Sequence, residues 1–381
     1  MQRVEVRQAV NSDKELLFDF IRVNWKERAV YQVPHRWRWL YVDNPFKVDN
    51  QLPIWIVVDG EHIVGHTAAM IVPLKIGEEV YPAAWSVNTV VVPEYRGREL
   101  GYHLQKANQD AWLVFMSLSM TKANRHIKMK LGGIKGASVS NFVIRFRYDR
   151  SKIGLALERR LEKYLLFSGI SRAVARILGV VSTVVLNIRL KVIRRLRFFK
   201  GRIQEKGRGI RIEEIERFDE ALDPILEGFM KPYKVAVFRT SRYLNWKFAE
   251  QPDINYRLFL AKSGEQTSGY MILRSGRPEL ENHYGVIAEF IANPEDRKTM
   301  EALLLFATEY FQKENVEKVI ISTTVPGFQE SFIRFGFRKV SETVPVIYCS
   351  DKVCDNATIG DKTDWLLSRG DHDWDQFPSK M

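Results

Sequence analysis

The chain repeats itself, and this repeat restricts the folds that it can adopt. The segments 39–45 and 246–252 both begin with Trp and end in Pro six positions later. Each is followed by a hairpin pattern in which a Gly-Glu pair precedes a further glycine at the same interval, at 60–65 and at 264–269. Matched offsets of this kind predict a tandem duplication. Because two copies share a folding role more easily than a ligand role, we expect the repeated aromatic residues in the core.

The order of patterns is the same in both halves: strand, amphipathic helix, hairpin, strand, helix, strand, helix. We therefore expect a mixed α/β (α+β) fold of two tandem domains, each a mixed, mostly antiparallel sheet flanked by helices. The 381 residues suffice for two average domains and a connector. The predicted parts are an N-terminal domain at 1–150, a basic helical connector at 151–207, a C-terminal domain at 208–350 and a polar tail at 351–381.

The strand-to-helix joint of the first half carries the clearest ligand signal. A β-branched run at 90–92 stops at Pro93, passes through a turn of arginines and glycines, and continues as a helical pattern. The first N–H groups of a helix lack partners and lie at the positive end of its dipole. Glycine lets the backbone approach an anion closely. The joint therefore predicts a site for a phosphate group.

These residues resemble the acyl-CoA pyrophosphate loop of the GNAT acetyltransferase superfamily, whose pattern is Arg/Gln-x-x-Gly-x-Gly/Ala after a strand. Arg96 and Gly101 match its first and last places, and Glu99 stands where the middle glycine usually is. The resemblance implies acetyl-CoA as acyl donor, without a metal, and tandem pairs are a known arrangement in this superfamily. It places the cofactor on the strand end and the loop, namely Val91, Val92, Arg96, Gly97, Arg98, Glu99, Leu100 and Gly101.

The matching loop of the second half is a poorer anion site. Aligning the prolines of the two joints places Arg297 opposite Arg96 and Ala302 opposite Gly101. The second loop has no glycine and holds two acidic residues beside the expected phosphates. We therefore assign CoA to the first half and a structural or acceptor-shaping role to the second. The alternative reading of such a joint is a capped turn without a ligand.

The chemistry implied by the resemblance is direct transfer, in which a deprotonated amine attacks the thioester carbonyl. Many GNAT enzymes carry a tyrosine four residues before the glycine that ends the last helix, but Lys128 and Phe332 hold those positions here. The catalytic candidates are Asn88, on the strand beside the expected thioester, and His66 on the adjacent strand. Imidazole has a suitable ordinary pKa for a base. The alternative for a single histidine is a hydrogen-bonded structural residue.

The positive charge of the chain is concentrated in the connector. Residues 145–211 hold 19 Lys/Arg and four Asp/Glu, a local net charge of +15 against +12 for the whole chain. The apolar run at 177–186 is shorter than the ~20 residues that a membrane-spanning helix needs. A helical bridge packed on a domain and a helix lying on an anionic membrane both fit this pattern. Nucleic acid is disfavoured, because no aromatic RNA-binding motif accompanies the charge.

The ends of the chain give fewer signals. The only two cysteines, Cys349 and Cys354, form no disulfide framework, and no Cys/His cluster has zinc spacing. The N-terminus has no apolar signal-peptide core, so we expect a reduced, cytoplasmic compartment. The adjacent Asp371, His372 and Asp373 are unlike a metal site, since neighbours on a tail rarely converge on one ion. We expect Trp365 to dock and the rest of the tail to be solvated.

The leading hypothesis is an acyl-CoA-dependent N-acyltransferase, specifically an N-acetyltransferase, acting on a primary amine in the cleft between the domains. Resemblance to bacterial tandem proteins suggests an amino-sugar acceptor from surface polysaccharide synthesis. One rival is a Fem-type transferase that uses aminoacyl-tRNA, with the connector as its tRNA contact. The other is a non-catalytic adaptor on a membrane surface. For the enzyme we expect a cytoplasmic location, with the connector as a candidate peripheral contact to the inner membrane surface.

Overall fold

The computed structural model of the protein describes residues 4–26, 29, 32–147, 180–188, 209–276, 284–353, 359 and 362–375. Within these ranges the chain forms two open sheets flanked by helices, one of nine strands and one of seven. This confirms the predicted fold class of two tandem α/β units with mixed, mostly antiparallel sheets.

The described residues form sixteen strands: the ten of the predicted order, five in each half, and six that were not predicted. In chain order they are β1 Glu5–Gln8, β2 Ile54–Asp59, β3 His62–Ile76, β4 Glu79–Val91, β5 Val114–Ser117, β6 Ile134–Lys135, β7 Val139–Arg145, β8 Ile210–Ile215, β9 Val235–Val237, β10 Arg257–Ser263, β11 Gln266–Ser275, β12 Tyr284–Ala292, β13 Lys318–Thr323, β14 Arg338–Thr343, β15 Val346–Cys349 and β16 Trp365–Leu366.

The helices cover both faces of the sheets. They are α1 Lys14–Trp25, α2 His35–Trp37, α3 Leu100–Asp110, α4 Lys122–Lys130, α5 Asp223–Met230, α6 Ser241–Leu244, α7 Arg297–Lys313 and α8 Pro326–Phe335. Two π-helical turns, Arg38–Val42 and Asn245–Ala249, follow α2 and α6. The long α7 buries Leu303, Leu304 and Ala307 on the second sheet, as its helical spacing of apolar residues requires.

The two sheets have matching strand orders. The first runs β1-β2-β3-β4-β5-β15-β6, with β9 and β16 joined to the far end of β3. Written from its matching end, the second runs β8-β10-β11-β12-β13-β7-β14. At corresponding places each contains a parallel pair, β4 with β5 and β12 with β13, among antiparallel neighbours. The first sheet has a second parallel pair, β9 with β16. The central strand β12 is buried along its whole length, which is typical of a strand covered on both faces.

Each half of the chain lends a strand to the other sheet. From the first half, β7 pairs antiparallel with β13 and β14 of the second sheet. From the second half, β15 pairs antiparallel with β5 and β6 of the first. The boundary predicted at residue 150 therefore does not separate the two sheets. Neither sheet is complete without a strand from the other half of the chain.

The repeated tryptophans meet at the contact between the halves. The rings of Trp39 and Trp246 stack with centroids 5.0 Å apart and planes at 19°. Each indole N–H donates to the carbonyl of the other residue, at 2.8 Å from Trp39 and at 3.3 Å from Trp246. Both side chains are buried. The expected core role of the repeated aromatics is confirmed, and the reciprocal bonds give the duplication an approximate two-fold arrangement.

The end of the described chain is buried, which corrects the expectation of a solvated tail. Residues 365–375, here called the C-terminal strap, run between the two sheets. Trp365 docks as expected, against Gly136, where a Cβ would lie 2.7 Å from its ring. Arg369, Asp371 and Asp375 are at most 1% exposed. The tail pattern looked polar because the strap beyond Leu367 buries carboxylates that are paired with buried basic side chains.

Most of the basic connector lies outside the described residues. Its described part, residues 180–188, is helical and exposes Val181, Val185 and Ile188. Among the residues that the structure describes, no helix is long and apolar enough to cross a membrane. At the end of β15, Cys349 is disulfide-bonded, which differs from the expected free thiol; Cys354 lies outside the described residues.

Candidate functional site

A cavity opens where β4 and β5 part. Their parallel ladder joins 83–85 to 114–116 and then ends. Beyond it lies a cavity of about 670 Å³, bounded by the end of β4, the loop before α3, the first turn of α3, the segment entering α4, and the C-terminal strap. Of the residues predicted to hold a cofactor, Val91, Arg96 and Gly101 line this cavity, and so does the catalytic candidate Asn88. The others, Val92, Gly97, Arg98, Glu99 and Leu100, belong to the same loop.

A bulge in β4 shapes the wall of the cavity. Opposite β3, His66 pairs with Val90 and Ala68 pairs with Val87, so β4 carries one extra residue at this point. Asn88 has a positive φ of 54° there. Bulges bend a strand and end its pairing locally. This bulge turns β4 away from β5 and thereby opens the cavity.

The loop before α3 takes the shape that an anion site needs. Pro93–Tyr95 form a 3-10 turn, and Arg96 Nε donates to the carbonyl of Val91 at 2.9 Å. Gly97 has a φ of 81°, and Glu99, immediately before α3, has a φ of 57°. Glu99 therefore adopts the left-handed conformation that glycine adopts without strain. The departure from the family pattern places a strained residue at this position and adds an exposed carboxylate.

His66 lies behind the cavity rather than in its lining. Its Nδ1 donates to the carbonyl of Asn88 at 2.8 Å, and its ring packs beside Phe20 and Trp25 of α1. Burial lowers the pKa of His66 to about 4, although the bond to Asn88 opposes the shift. The imidazole is therefore neutral at physiological pH and holds the bulge in place. The Asn88 side chain donates in turn to Gln32 Oε1 at 3.2 Å.

A buried polar network supports the opposite side of β4. Gln105 of α3 donates to Thr89 Oγ1 at 2.8 Å and to Thr67 Oγ1 at 3.1 Å. Its carbonyl accepts a hydrogen bond from Lys128, whose ammonium also lies 4.2 Å from the ring centroid of Phe115. Burial lowers the pKa of Lys128 to about 7. The position at which the family often carries a tyrosine is thus filled by a lysine that titrates near neutrality.

This lysine predicts a pH-dependent stability. The pKa of Lys128 is lower in the folded chain than the ordinary 10.5, so its charged form is disfavoured by folding. The free-energy cost of burying the charged amine is full below about pH 7 and vanishes as the pH rises past about 10.5. We expect Lys128→Met to raise the free energy of unfolding at pH 7 by about 1–3 kcal/mol, net of the lost bond to Gln105.

Denaturant unfolding of both proteins between about pH 6 and 10 measures this difference. It should shrink as the pH rises, because the wild-type lysine loses its charge. The exposed Lys122, on the same helix, provides the control Lys122→Met, for which we expect no such trend. A Lys128→Met variant that is less stable than wild type at every pH contradicts the buried-amine account.

The strap adds residues to the cavity that sequence analysis assigned to a solvated tail. His372 and Asp373 both line it. His372 Nδ1 lies 2.6 Å from Asp373 Oδ1, and Arg36 Nη2 lies 3.3 Å from Asp373 Oδ2. Burial raises the pKa of Asp373, but the neighbouring His372, Arg36 and Lys247 together bring it well below its usual range. The adjacent Asp371, His372 and Asp373 were the sequence signal for a functional cluster. The sequence did not show that His372 and Asp373 would enter this cavity.

The corresponding space in the second sheet is filled by the strap. The parallel ladder of β12 and β13 joins 284–287 to 318–321, and beyond it Ser368 bridges to Thr323 of β13. Gly370 lies against β12, where a Cβ would come within 3.0 Å of the carbonyl of Ala288. Arg239 donates from this side to Glu289 at 3.0 Å and to Asp371 at 2.7 Å. The duplicated cleft is thus occupied by the chain itself.

Metal ligands are not grouped in the part of the chain that the structure describes. No set of three or more His, Cys, Asp and Glu side chains there is arranged to hold an ion.

Comparison with known proteins agrees with this architecture. Residues 5–112 match the profile of the acetyltransferase (GNAT) domain, and no curated protein matches the sequence. A GCN5-related N-acetyltransferase from Anabaena variabilis superposes with a TM-score of 0.53 at 11% identity, over 91% of this chain and 72% of that one. A GCN5-related N-acetyltransferase from Kribbella flavida gives 0.51 at 13%, over 91% and 70%.

A third similar structure is Saccharomyces cerevisiae N-myristoyltransferase with bound myristoyl-CoA, with a TM-score of 0.52 at 9% identity, over 91% of this chain and 83% of that one. At these identities the likeness shows a shared fold. The domain match covers residues 5–112, less than half of the chain, and shows that this segment is similar to the acetyltransferase (GNAT) domain. The chain therefore has a fold of two GNAT-like units that have exchanged strands, with the GNAT domain match in the first of them.

Proposed function

We propose that the protein is an acyl-CoA-dependent N-acyltransferase with one donor site, in the cleft of the first sheet. The observation that carries this proposal is the cavity at the parting of β4 and β5, which leads to the first turn of α3 at Gly101. A strand edge without its ladder partner and a helix start with unpaired N–H groups suit the two ends of one ligand. Pantetheine amides match the strand edge, and the pyrophosphate matches the helix start.

Each predicted cofactor residue has a place in this proposal. Val91 lines the cavity at the end of β4, and Val92 anchors that end through its N–H bond to the Val64 carbonyl at 3.0 Å. Residues 97–101 present N–H groups to the pyrophosphate. Arg96, bonded to the carbonyl of Val91, adds a fixed positive charge beside the anion. Gly101 keeps the floor of the cavity open, because its nearest neighbour in the Cβ direction is Ile127 at 3.7 Å.

Asn88 is proposed to position the acceptor amine at the bulge, and His66 to hold that bulge through the Asn88 carbonyl. A general base among the cavity residues then deprotonates the amine. The acceptor is proposed to be a small molecule with a primary amine. The carboxylate of Asp373 in the lining favours a cationic acceptor, and an amino sugar is the acceptor that we propose first.

A screen of acetyl-CoA consumption tests the proposal. Free thiol release is followed with acetyl-CoA and panels of amino sugars, amino acids and polyamines. We expect at least one amine to raise release above the rate without enzyme, and acetyl-CoA to bind in calorimetry. The absence of binding at millimolar acetyl-CoA, with no thiol release for any amine, contradicts the proposal. Myristoyl-CoA in the same assay distinguishes the acyl chain that the cavity prefers.

Glu99 gives a separate prediction for the loop. A residue other than glycine in the left-handed region costs about 1–2 kcal/mol of folding free energy. Glycine avoids this cost but loses more backbone entropy on folding, so the net gain is smaller. We expect Glu99→Gly to raise the free energy of unfolding by up to about 1 kcal/mol. It should also tighten acetyl-CoA by about two- to five-fold, because a carboxylate no longer competes for the helix start.

The variant Glu99→Asn separates the two effects. Asparagine tolerates the left-handed region better than most residues and carries no charge, so it should tighten binding with a smaller gain in stability. Denaturant unfolding and calorimetry measure the two quantities. Weaker acetyl-CoA binding in both variants shows that Glu99 contributes to the donor site rather than opposing it.

A second proposed property is contact with an anionic membrane surface through the connector. The helical residues 180–188 expose five apolar side chains, namely Val180, Val181, Val184, Val185 and Ile188, and the surrounding sequence is strongly basic. Such a combination suits a helix that lies on anionic lipid. We expect retention on phosphatidylserine vesicles that falls with salt. Equal retention on phosphatidylcholine vesicles, or none on either, contradicts this role.

A further inference from the structure

The strap carries one histidine into the cavity of the other sheet. His372 is 4% exposed, and its Nε2 lies 3.4 Å from the carbonyl of Ser86, at the point where β4 leaves β5. Its ring meets the indole of Trp85 edge to face, with centroids 5.1 Å apart. Packing against Trp85 fixes the ring plane. Nε2 therefore lies in the cavity wall, at the place where the ladder between β4 and β5 ends.

The other nitrogen of His372 faces a carboxylate. Nδ1 lies 2.6 Å from Asp373 Oδ1, although the direction is poor for a hydrogen bond, so the contact is mainly electrostatic. Asp373 is held by Arg36, which also donates to Gln32 Oε1 at 2.9 Å. A carboxylate at this distance attracts the ring proton to Nδ1. With its proton there, Nε2 keeps only the long 3.4 Å contact to the Ser86 carbonyl, and it can accept a proton from an amine that takes the place of this contact.

Charged groups from three elements surround this histidine. Arg36 of α2 acts through Asp373, and Lys247 of the second π-helical turn donates to the carbonyl of His372 at 3.2 Å. Lys247 also lies 3.8 Å from Asp375 Oδ1. Asp371, on the same strap, is paired with Arg239. The positive charges of Arg36 and Lys247 are thus each matched by a strap carboxylate, which leaves the imidazole beside a balanced set of charges.

We propose that His372 is the general base of the first cleft, with Asp373 and Arg36 as positioning residues; this rests on the proposed N-acyltransferase function. Nε2 takes one proton from the ammonium form of the acceptor, and the amine nitrogen forms a bond to the thioester carbonyl carbon. The carbon–sulfur bond then breaks, and the CoA sulfur leaves with the electron pair and takes the second N–H proton. The imidazolium returns its proton to solvent, and the products are an amide and CoA thiol.

The second GNAT-like unit gains a role from this assignment. Its own cleft is filled by residues 368–371 of the strap, which Arg239 and Thr323 hold in place. The same anchoring fixes the position at which His372 enters the first cavity. The duplicated unit thus serves as the support that delivers a base to the first one.

The test uses the full chain and acetyl-CoA with the amine of the screen that is consumed fastest. Acetyl-CoA hydrolysis without amine is measured beside it, because water as acceptor also needs a base. We expect His372→Gln to lower turnover by about 10²-fold or more, a usual contribution of general-base catalysis. The decrease of turnover at acidic pH that a general base produces should be absent in this variant. Its acetyl-CoA affinity should stay within about two-fold of wild type, since the donor loop is untouched.

Three further proteins make the outcome decisive. His126→Gln alters an exposed histidine of α4 and should keep wild-type turnover. Asp373→Asn should lower turnover by less than His372→Gln does, because the imidazole is retained and only the carboxylate beside its Nδ1 is lost. In His372→Ala, added imidazole should restore part of the turnover, which also shows that the variant is folded.

Two results overturn the assignment. One is a His372→Gln protein with wild-type turnover and an unchanged acidic limb. The other is a His372→Ala protein that binds acetyl-CoA normally, is inactive and does not respond to imidazole. A wild-type protein that neither binds nor consumes acetyl-CoA contradicts the proposed function itself and the base with it. Binding and turnover therefore distinguish the failure of one proposal from the failure of both.

Discussion

Gly101→Glu is expected to abolish acyl-CoA binding, with at least a 10²-fold loss of affinity for acetyl-CoA. Gly101 lines the cavity in the first turn of α3, and its Cβ direction points toward Ile127 on the opposite wall. A glutamate there adds bulk to the cleft and a negative charge at the helix start, where the proposal places the pyrophosphate. Anions gain from the N-terminal end of a helix, and a fixed carboxylate opposes that gain. Calorimetric titration with acetyl-CoA measures the loss.

Two controls separate the cleft from general damage. Gly101→Ala adds a methyl group at 3.7 Å from Ile127, an ordinary contact, so it should bind within about three-fold of wild type. Gly228→Glu makes the same change on the exposed face of α5 in the second half, where nothing lies within 4 Å. That variant should bind as wild type does. Acetyl-CoA affinity that survives Gly101→Glu places the donor elsewhere in the protein.

Arg239→Leu is expected to lower the free energy of unfolding by about 3–5 kcal/mol, the usual cost of removing one partner from a buried ionic group. Arg239 is 1% exposed and bonds to both Glu289 of β12 and Asp371 of the strap. Without it, two carboxylates stay buried with no opposite charge between them. Burial already raises the pKa of Glu289 to about 7 while Arg239 is present.

The pH dependence of this variant has a definite sign. A carboxyl whose pKa is raised by folding is protonated more easily in the folded chain, so its penalty appears as the pH rises and is relieved by acid. The loss in free energy of unfolding caused by Arg239→Leu should therefore become smaller as the pH falls from about 8 to about 5. The exposed pair Arg257–Glu214, with both side chains 42% exposed, provides the control: Arg257→Leu should cost under about 1 kcal/mol. Equal losses in the two variants contradict a buried network around the strap.

The order of elements was predictable from the sequence, because it depends on local pattern. Ile210–Ile215 is the strand that opens the second half, as the order of patterns predicts, and the hairpins around Gly60 and Gly264 form where the repeat predicts them. The exchange of β7 and β15 was not predictable. A strand pattern records which faces are buried, but it does not record which sheet offers the free edge. That choice is made by contacts between residues 173 or more positions apart.

The donor loop was predictable for a similar reason. A proline, a turn and a helix start act over a few residues, so Arg96 and Gly101 lie at the cavity as expected. Glu99 shows the limit of pattern matching, since a glutamate holds the left-handed position at which the family pattern has a glycine. His372 and Asp373 lie 286 and 337 positions from Ser86 and Arg36, the residues that they meet. Only the three-dimensional path of the strap brings them to the site.

The central claim is that one of two duplicated clefts binds the donor while the strap fills the other. Calorimetric titration of the full chain with acetyl-CoA tests it most directly. The structure predicts one site per chain, retained in Arg297→Glu, which alters the exposed counterpart of Arg96 in the second half, and lost in Gly101→Glu. Two sites per chain, or a single site that Arg297→Glu removes and Gly101→Glu leaves intact, contradicts the account.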